Sequence, residues 1–267
     1  MSERTSSDPG GARGSESLKG AVALVTGGAQ GIGAEIARRL HADGARVAIN
    51  DLAENDRLLG VCHSIDALAA PADVADEHAV AEMVRHIEQE LGAVDILVSN
   101  AALETMGEFA GQPTEDFWRQ IEINLTGGFS CTQAVLPGMR RKGRGKIVMI
   151  TSVAGVNGWA RAVGYSASKA GLIGLVKSLG RELAGEGIYV NGIAPGAIDS
   201  PQIEVDALEY GVTLDELRVR YTEMTPLGRI GRPEDIAGLV SLLASAAGDA
   251  FVGQILQPNG GIERASA

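Results

Sequence analysis

Tyr165 and Lys169 stand four residues apart in a helically patterned stretch from about residue 162 to 184. On a helix this spacing puts both side chains on one face, their Cβ atoms about 5–6 Å apart. A phenol with an ordinary pKa near 10 is a poor acid or base at neutral pH. A neighbouring ammonium favours the phenolate, so Lys169 is expected to lower the Tyr165 pKa and make it a usable acid/base. Such pairs are common on helix surfaces, and the reading depends on what surrounds this one. Ser152, 13 residues earlier at the end of an apolar run, offers a hydroxyl to a substrate oxygen. Asn124 interrupts the apolar Ile121, Ile123 and Leu125, where an amide is unfavourable by propensity and must find partners.

A second constellation lies near the N-terminus. Thr26, Gly27, Gly28, Ala29, Gln30, Gly31, Ile32 and Gly33 follow a Val/Leu-rich run and open a helical pattern. Glycines there let the backbone approach a pyrophosphate, whose charge sits on free N–H groups at the helix start. Asp51 ends the next apolar run, 25 residues after Thr26, where a carboxylate accepts hydrogen bonds from an adenosine ribose and repels a 2′-phosphate. NAD is therefore expected over NADP, and the uncharged Gln30 agrees. Asp73 and Val74, after the third run, are placed to meet the adenine edge. Pro195-Gly196 opens the end of the sixth.

These residues need a frame. Seven short apolar runs (21–26, 46–50, 67–70, 94–99, 146–151, 189–194 and 254–257) alternate with helical stretches. Ala79, Met83, Ile87 and Leu91 form one helical stripe, and Ile236, Val240 and Leu243 another. The alternation predicts an α/β fold, a doubly wound seven-stranded parallel sheet of Rossmann type, in one domain over 18–267. A charged, irregular segment at 197–225 is expected to form a substrate loop. Residues 1–17, rich in Ser and Gly and lacking an apolar core, read as a disordered tail and not a signal peptide.

Taken together the pieces resemble the short-chain dehydrogenase/reductase family from about Leu18 to Ile262. The resemblance rests on the 26–33 turn, Asn100-Ala101, Asn124, Ser152, the Tyr165–Lys169 segment and Pro195-Gly196. It implies that Tyr165 is the acid/base, Ser152 orients the reacting oxygen, Lys169 also holds the nicotinamide ribose, and Asn124 holds a water in a proton relay. It further implies that Pro195, Gly196, Ile198 and Ser200 line the nicotinamide end, with Ser200 on the carboxamide. It also implies a homotetramer. Within the family the pattern is similar to 3-oxoacyl-carrier-protein reductases and equally to many alcohol dehydrogenases. Two departures stand out: Ala102 replaces a family glycine, adding a methyl near the cofactor path, and Asn259 replaces an aspartate.

The 34 Asp+Glu against 23 Lys+Arg, a net charge of −11, argue against a polyanion-binding role. The one basic run, 140–146, reads as a solvated helix end; carrier-protein docking or nucleic-acid binding there are lesser alternatives. Two widely spaced cysteines and four scattered histidines suggest buried thiols and no metal site. No apolar stretch is long enough for a bilayer, and a cytoplasmic location is expected. Leu103, Met106, Val153, Val156 and Trp159 suit a small aliphatic or alicyclic alcohol or ketone, with Leu103 and Trp159 as substrate contacts and Glu104, Asn157 and Gln202 as polar selectors. The expected function is NAD-dependent oxidation of a secondary alcohol. A 3-oxoacyl-thioester reductase is the first alternative; because such biosynthetic reductases commonly use NADP, Asp51 counts against it. A non-catalytic NAD(H) sensor is the second.

Overall fold

The computed structural model describes residues 17–262. Of the tail expected over 1–17, all but Ser17 lies outside the described residues. Seven parallel strands, β1 (Val22–Val25), β2 (Arg46–Ile49), β3 (Leu68–Ala69), β4 (Ile96–Ser99), β5 (Gly145–Ile150), β6 (Ile188–Ile193) and β7 (Ile255–Leu256), form one sheet in the order β3-β2-β1-β4-β5-β6-β7. Five lie within, and are shorter than, their apolar runs; β5 and β6 each begin one residue earlier. β1 and β4 are buried throughout, as strands covered on both faces must be.

Side chains of β1 alternate between two cores. Ala23 and Val25 face one with Ile36, Leu40, Ile236 and Val240. These come from α1 (Gly31–Ala42) and α10 (Pro233–Ala244), and the expected 236/240/243 stripe is buried there. Val22 and Leu24 face the other with Met83, Ile87, Val135, Met139, Leu172 and Val176. Those belong to α3 (Glu77–Glu90), α5 (Gly127–Lys142) and α7 (Val163–Leu183). Leu91 caps α3 rather than continuing it, and Val80 and Val84 complete its buried face. α2 (Asp56–Ser64), capped by the Asn55 side chain, covers the β2 edge.

The order reverses between β1 and β4, and there the carboxyl ends of the strands open a crevice. α4 (Thr114–Ile121) runs into α5 through a π-helical turn at Glu122–Thr126 that contains Asn124, so the regular helix expected around Asn124 is replaced by a widened turn. Such turns recur at functional sites. The segment 197–225 is more ordered than its irregular sequence suggests. It holds α8 (Gln202–Tyr210) and α9 (Leu214–Glu223), the latter started by a Thr213/Glu216 capping box. Ile203, Ala207, Leu217 and Tyr221 give these helices a small core of their own.

The basic run closes α5, with Gly143 at φ 62 as the left-handed cap. Its five cations share four carboxylates: Arg140 pairs with Glu186, Arg141 with Glu88, Lys142 and Arg144 both with Asp95, and Lys146 with Asp249. Cys62 and Cys131 are free and buried. No helix among the described residues is long and apolar enough to cross a membrane.

Candidate active site

The crevice is a cleft of about 470 Å³, within the range of small-molecule sites. The residues expected to hold the cofactor line it, as do Leu103 and Trp159, from Gly27, Gln30 and Asp51 at one end to Leu103, Trp159 and Tyr165 at the other. Asn124 does not, nor do Val156 and Asn157, which were expected at the pocket wall and as a polar selector.

At the outer end the glycine turn is fixed by close packing. A Cβ on Gly33 would lie 2.3 Å from the Gly27 carbonyl, and one on Gly27 would lie 2.8 Å from Ala101 Cα. Asn100 locks the turn by donating from Nδ2 to the carbonyls of Thr26 and Gly27, each at 3.0 Å. Gly31 adopts φ +53, a left-handed value that favours glycine. Gln30 is the N-cap of α1 but makes no side-chain cap, so the first N–H groups of the helix remain available to an anion. The Gln30 amide oxygen instead accepts from Arg57. Asp51 sits at the cleft wall with Oδ2 accepting from Ala29 N–H at 3.2 Å and Oδ1 from Leu52 N–H at 2.8 Å. The donors, the glycine cradle and the carboxylate together fit a dinucleotide.

Asp73 also lines this end, but its carboxylate is taken: Arg119 Nη2 donates to it at 2.8 Å and Ala75 N–H at 2.9 Å. Burial pushes the Asp73 pKa up, and the Arg119 guanidinium and the Ala75 amide outweigh it, leaving the value lowered. Ala102 is exposed and lines the cleft.

At the inner end Ser152 follows β5 and caps the short helix α6 (Val153–Asn157), accepting from Ala154 N–H at 3.1 Å. Its hydroxyl also hydrogen-bonds the Tyr165 phenol. Tyr165 and Lys169 lie on one face of α7, the Lys169 Nζ 5.5 Å from the phenol ring centre and donating to the Ile150 carbonyl at 2.8 Å. The expected lowering of the Tyr165 pKa is not what this geometry gives. Burial raises it, the Glu104 carboxyl adds to the rise, and the Ser152 hydrogen bond only partly offsets both. Lys169, 2% exposed, is itself depressed to about 8 by burial. The ammonium is too desolvated to dominate its neighbour.

Asn124 is buried behind the cleft. Its amide accepts from Leu103 N–H at 2.7 Å and donates to Leu103 O at 2.8 Å and Ser168 Oγ at 3.0 Å. It ties the loop after β4 to α7, and so holds Leu103 beside that helix. α8 is tied to both neighbouring loops: Glu209 accepts from Met106 N–H at 3.1 Å, and Tyr210 Oη accepts from Trp159 Nε1 at 3.0 Å. Asp206, Tyr221 and Arg119 line the cleft without having been singled out by sequence. All three belong to helices whose facing toward the cleft only the tertiary fold decides.

Residues 21–208 match the family model described as short chain dehydrogenase. The chain belongs to the short-chain dehydrogenase family. It is 41% identical over 232 residues to a 2-dehydro-3-deoxy-L-rhamnonate dehydrogenase (NAD(+)) of Sphingomonas sp. (strain SKA58), covering 85% of this chain and 88% of that one. It is 39% identical over 246 residues to a 3-oxoacyl-[acyl-carrier-protein] reductase of Staphylococcus epidermidis, covering 90% and 98%. Among solved structures, a chain provisionally described as a gluconate dehydrogenase from Agrobacterium tumefaciens superposes with a TM-score of 0.85 at 30% identity, over 92% of this chain and 96% of that one. As a member of this short-chain dehydrogenase family, the protein is a nicotinamide-dependent oxidoreductase acting on CH–OH groups.

Proposed function

We propose that this short-chain dehydrogenase oxidises a secondary alcohol to a ketone, reversibly, with NAD in preference to NADP. The observation that carries the reading is the convergence of Ser152, Tyr165 and Lys169 at the inner end of the cleft whose outer end holds Asp51. In this reading Ser152 and Tyr165 hydrogen-bond the substrate oxygen. The carbinol C–H bond breaks with its electron pair leaving as hydride, while the O–H proton passes to Tyr165 Oη, which must first have released its own proton to solvent. In the reverse direction the phenol O–H donates that proton to the ketone oxygen. The nicotinamide, when bound, accepts that hydride. Lys169 acts on Tyr165 and on the ribose beside it, and Asn124 positions the Leu103 wall. Gly27, Gln30, Gly31, Ile32 and Gly33 take the pyrophosphate, and Asp51 the adenosine ribose. Asp73, Val74, Asn100 and Ala101 follow the adenine and its ribose, and Pro195, Gly196, Ile198 and Ser200 flank the nicotinamide. A carboxylate at position 51 supports NAD, as does a relative whose name carries NAD(+).

A 3-oxoacyl-thioester reductase is the second reading, favoured by 39% identity to such reductases across nearly their full length. Exposed Trp118, Phe129 and Val163 on α4, α5 and α7 support assembly through these helices, as in the expected tetramer. The deciding experiment is initial rates for secondary alcohols and their ketones, 3-oxoacyl thioesters included, with NAD and NADP in parallel. Turnover with NAD on alcohols supports the first reading; reduction of thioesters with NADPH alone overturns it in favour of the second.

A further inference from the structure

The reacting oxygen needs only Ser152 and Tyr165, yet the same end of the cleft is lined by several more polar groups. Glu104 comes from the loop after β4, and Asp206 and Gln202 from α8. Tyr221 adds a hydroxyl from α9. The two carboxyls differ in how they are held. Asp206 accepts from Gln202 Nε2 at 3.0 Å and from the Tyr221 hydroxyl. Glu104 is partly buried, and no group among the described residues donates a hydrogen bond to its carboxyl. Its surroundings are charged: Asp206 and Glu209 add negative potential, and Lys169 alone opposes it. These acids do not gather into a set able to hold a metal ion among the described residues.

Two consequences follow for a ligand in this space. An apolar alcohol would cover the Glu104 carboxyl without giving it a partner, and a site built to hydrogen-bond a hydroxyl rejects the analogue that lacks it. A carboxylate would fare worse. Lys169 and Arg119 are the only cations lining the cleft among the described residues. Lys169 is held by the Ile150 carbonyl, and Arg119 is bound to Asp73 at the far end. A substrate carboxylate would find no free cation in this partly desolvated pocket and would lie beside Asp206, a carboxyl already held by Gln202 and Tyr221.

Resting on the oxidoreductase reading above, we propose that Glu104 and Asp206 select uncharged polyhydroxylated substrates, sugars and polyols with hydroxyls flanking the reacting carbon, and exclude carboxylates. Glu104 accepts from, or when protonated donates to, a hydroxyl beside the reacting carbon. Asp206, steadied by Tyr221 and Gln202, fixes the next one. Glu104 is raised to about 8, chiefly by burial and by Asp206, so both protonation states are accessible near neutrality and either suits a hydroxyl.

The test compares kcat/KM of the full-length protein on matched pairs, D-glucose against D-gluconate and xylitol against D-xylonate, with cyclohexanol as the apolar reference. Wild type is expected to favour the neutral member of each pair by about tenfold or more and to prefer it to cyclohexanol. Glu104→Gln and Asp206→Asn, which keep size and hydrogen-bonding capacity, are expected to narrow the neutral-to-acid ratio by about tenfold. Cofactor binding followed by tryptophan fluorescence verifies that each variant is folded. Equal or better turnover of the acids, a preference for cyclohexanol, or a ratio unmoved in both folded variants overturns the selector while leaving the oxidoreductase reading intact. No turnover of any alcohol or ketone with either cofactor overturns both.

Discussion

The two ends of the cleft are lined by the same residue types and treat them in opposite ways. At the outer end Asp73 is joined to Arg119, and Asp51 accepts two backbone N–H groups. Carboxylates there are partnered, and the Arg119 guanidinium and Ala75 amide hold the Asp73 pKa below its ordinary value. At the inner end Glu104 has no donor, faces Asp206 and Glu209, and is pushed up to about 8. Lys169 is pushed down to the same value by the same burial. The comparison teaches that identity alone does not set the chemistry of an acid. Partners fix charge for recognition at one end, and desolvation frees the proton for use at the other.

The sharpest way to break this contrast is Tyr165→Phe. Removing the one hydroxyl able to take the substrate proton is expected to lower kcat about a thousandfold. Cofactor affinity, measured by fluorescence titration, should stay within about threefold, because the phosphate and ribose contacts lie at the other end. Loss of cofactor binding with loss of turnover would mean the two ends are not separable.

Asp51→Ala probes the partnered end. Without the carboxylate the preference for NAD, taken as the ratio of kcat/KM with the two cofactors, should fall by about tenfold or more. An unchanged ratio would remove Asp51 from cofactor choice.

A smaller effect separates the unpartnered end by pH. The Glu104 pKa is raised on folding, so its contribution to stability is complete below its ordinary carboxylate value and is lost as pH rises to about 8. Wild type should therefore lose Tm relative to Glu104→Gln by several degrees between about pH 5 and pH 8. Lys169 is depressed instead, so its contribution grows only above about 8 and does not mask this window. A Tm difference independent of pH would show that Glu104 ionises normally.

The smallest effect is expected at Arg119→Ala. Its pair with Asp73 is partly exposed, at 41% and 32% of the side chains, so screening limits its worth. Cofactor KM should rise by no more than about threefold, with kcat unchanged, in steady-state assays.

The outer end was almost wholly legible in the sequence, because its determinants are local. A glycine turn, a strand end and a helix start lie within a few residues of one another, and Asp51 follows at a fixed offset. The strand runs and the Tyr165–Lys169 face were legible for the same reason, being set by periodicities of two and 3.6. The inner end was legible only in part. Glu104 was noted as a polar selector, but its lack of a donor depends on Asp206 and Glu209, a hundred residues later on helices whose sequence reads as irregular. The direction of the Tyr165 shift was misread because spacing reports the proximity of Lys169 and says nothing of how dry the pair is. Asn124 was correctly marked as out of place. That its amide would be spent on Leu103 follows from the π-helical turn, which has no sequence signature.

The small core shared by α8 and α9 has an evolutionary meaning. Ile203, Ala207, Leu217 and Tyr221 pack with one another rather than with either face of the sheet, so the helices that carry Gln202 and Asp206 rest on a foundation of their own. β5, which precedes Ser152, and α7, which carries Tyr165 and Lys169, are instead anchored in the two sheet cores, outside this small core. Diversification can then proceed by exchange of one cassette: drift there alters what the enzyme consumes, while the inherited reaction and the fold that supports it pass unchanged to the descendant.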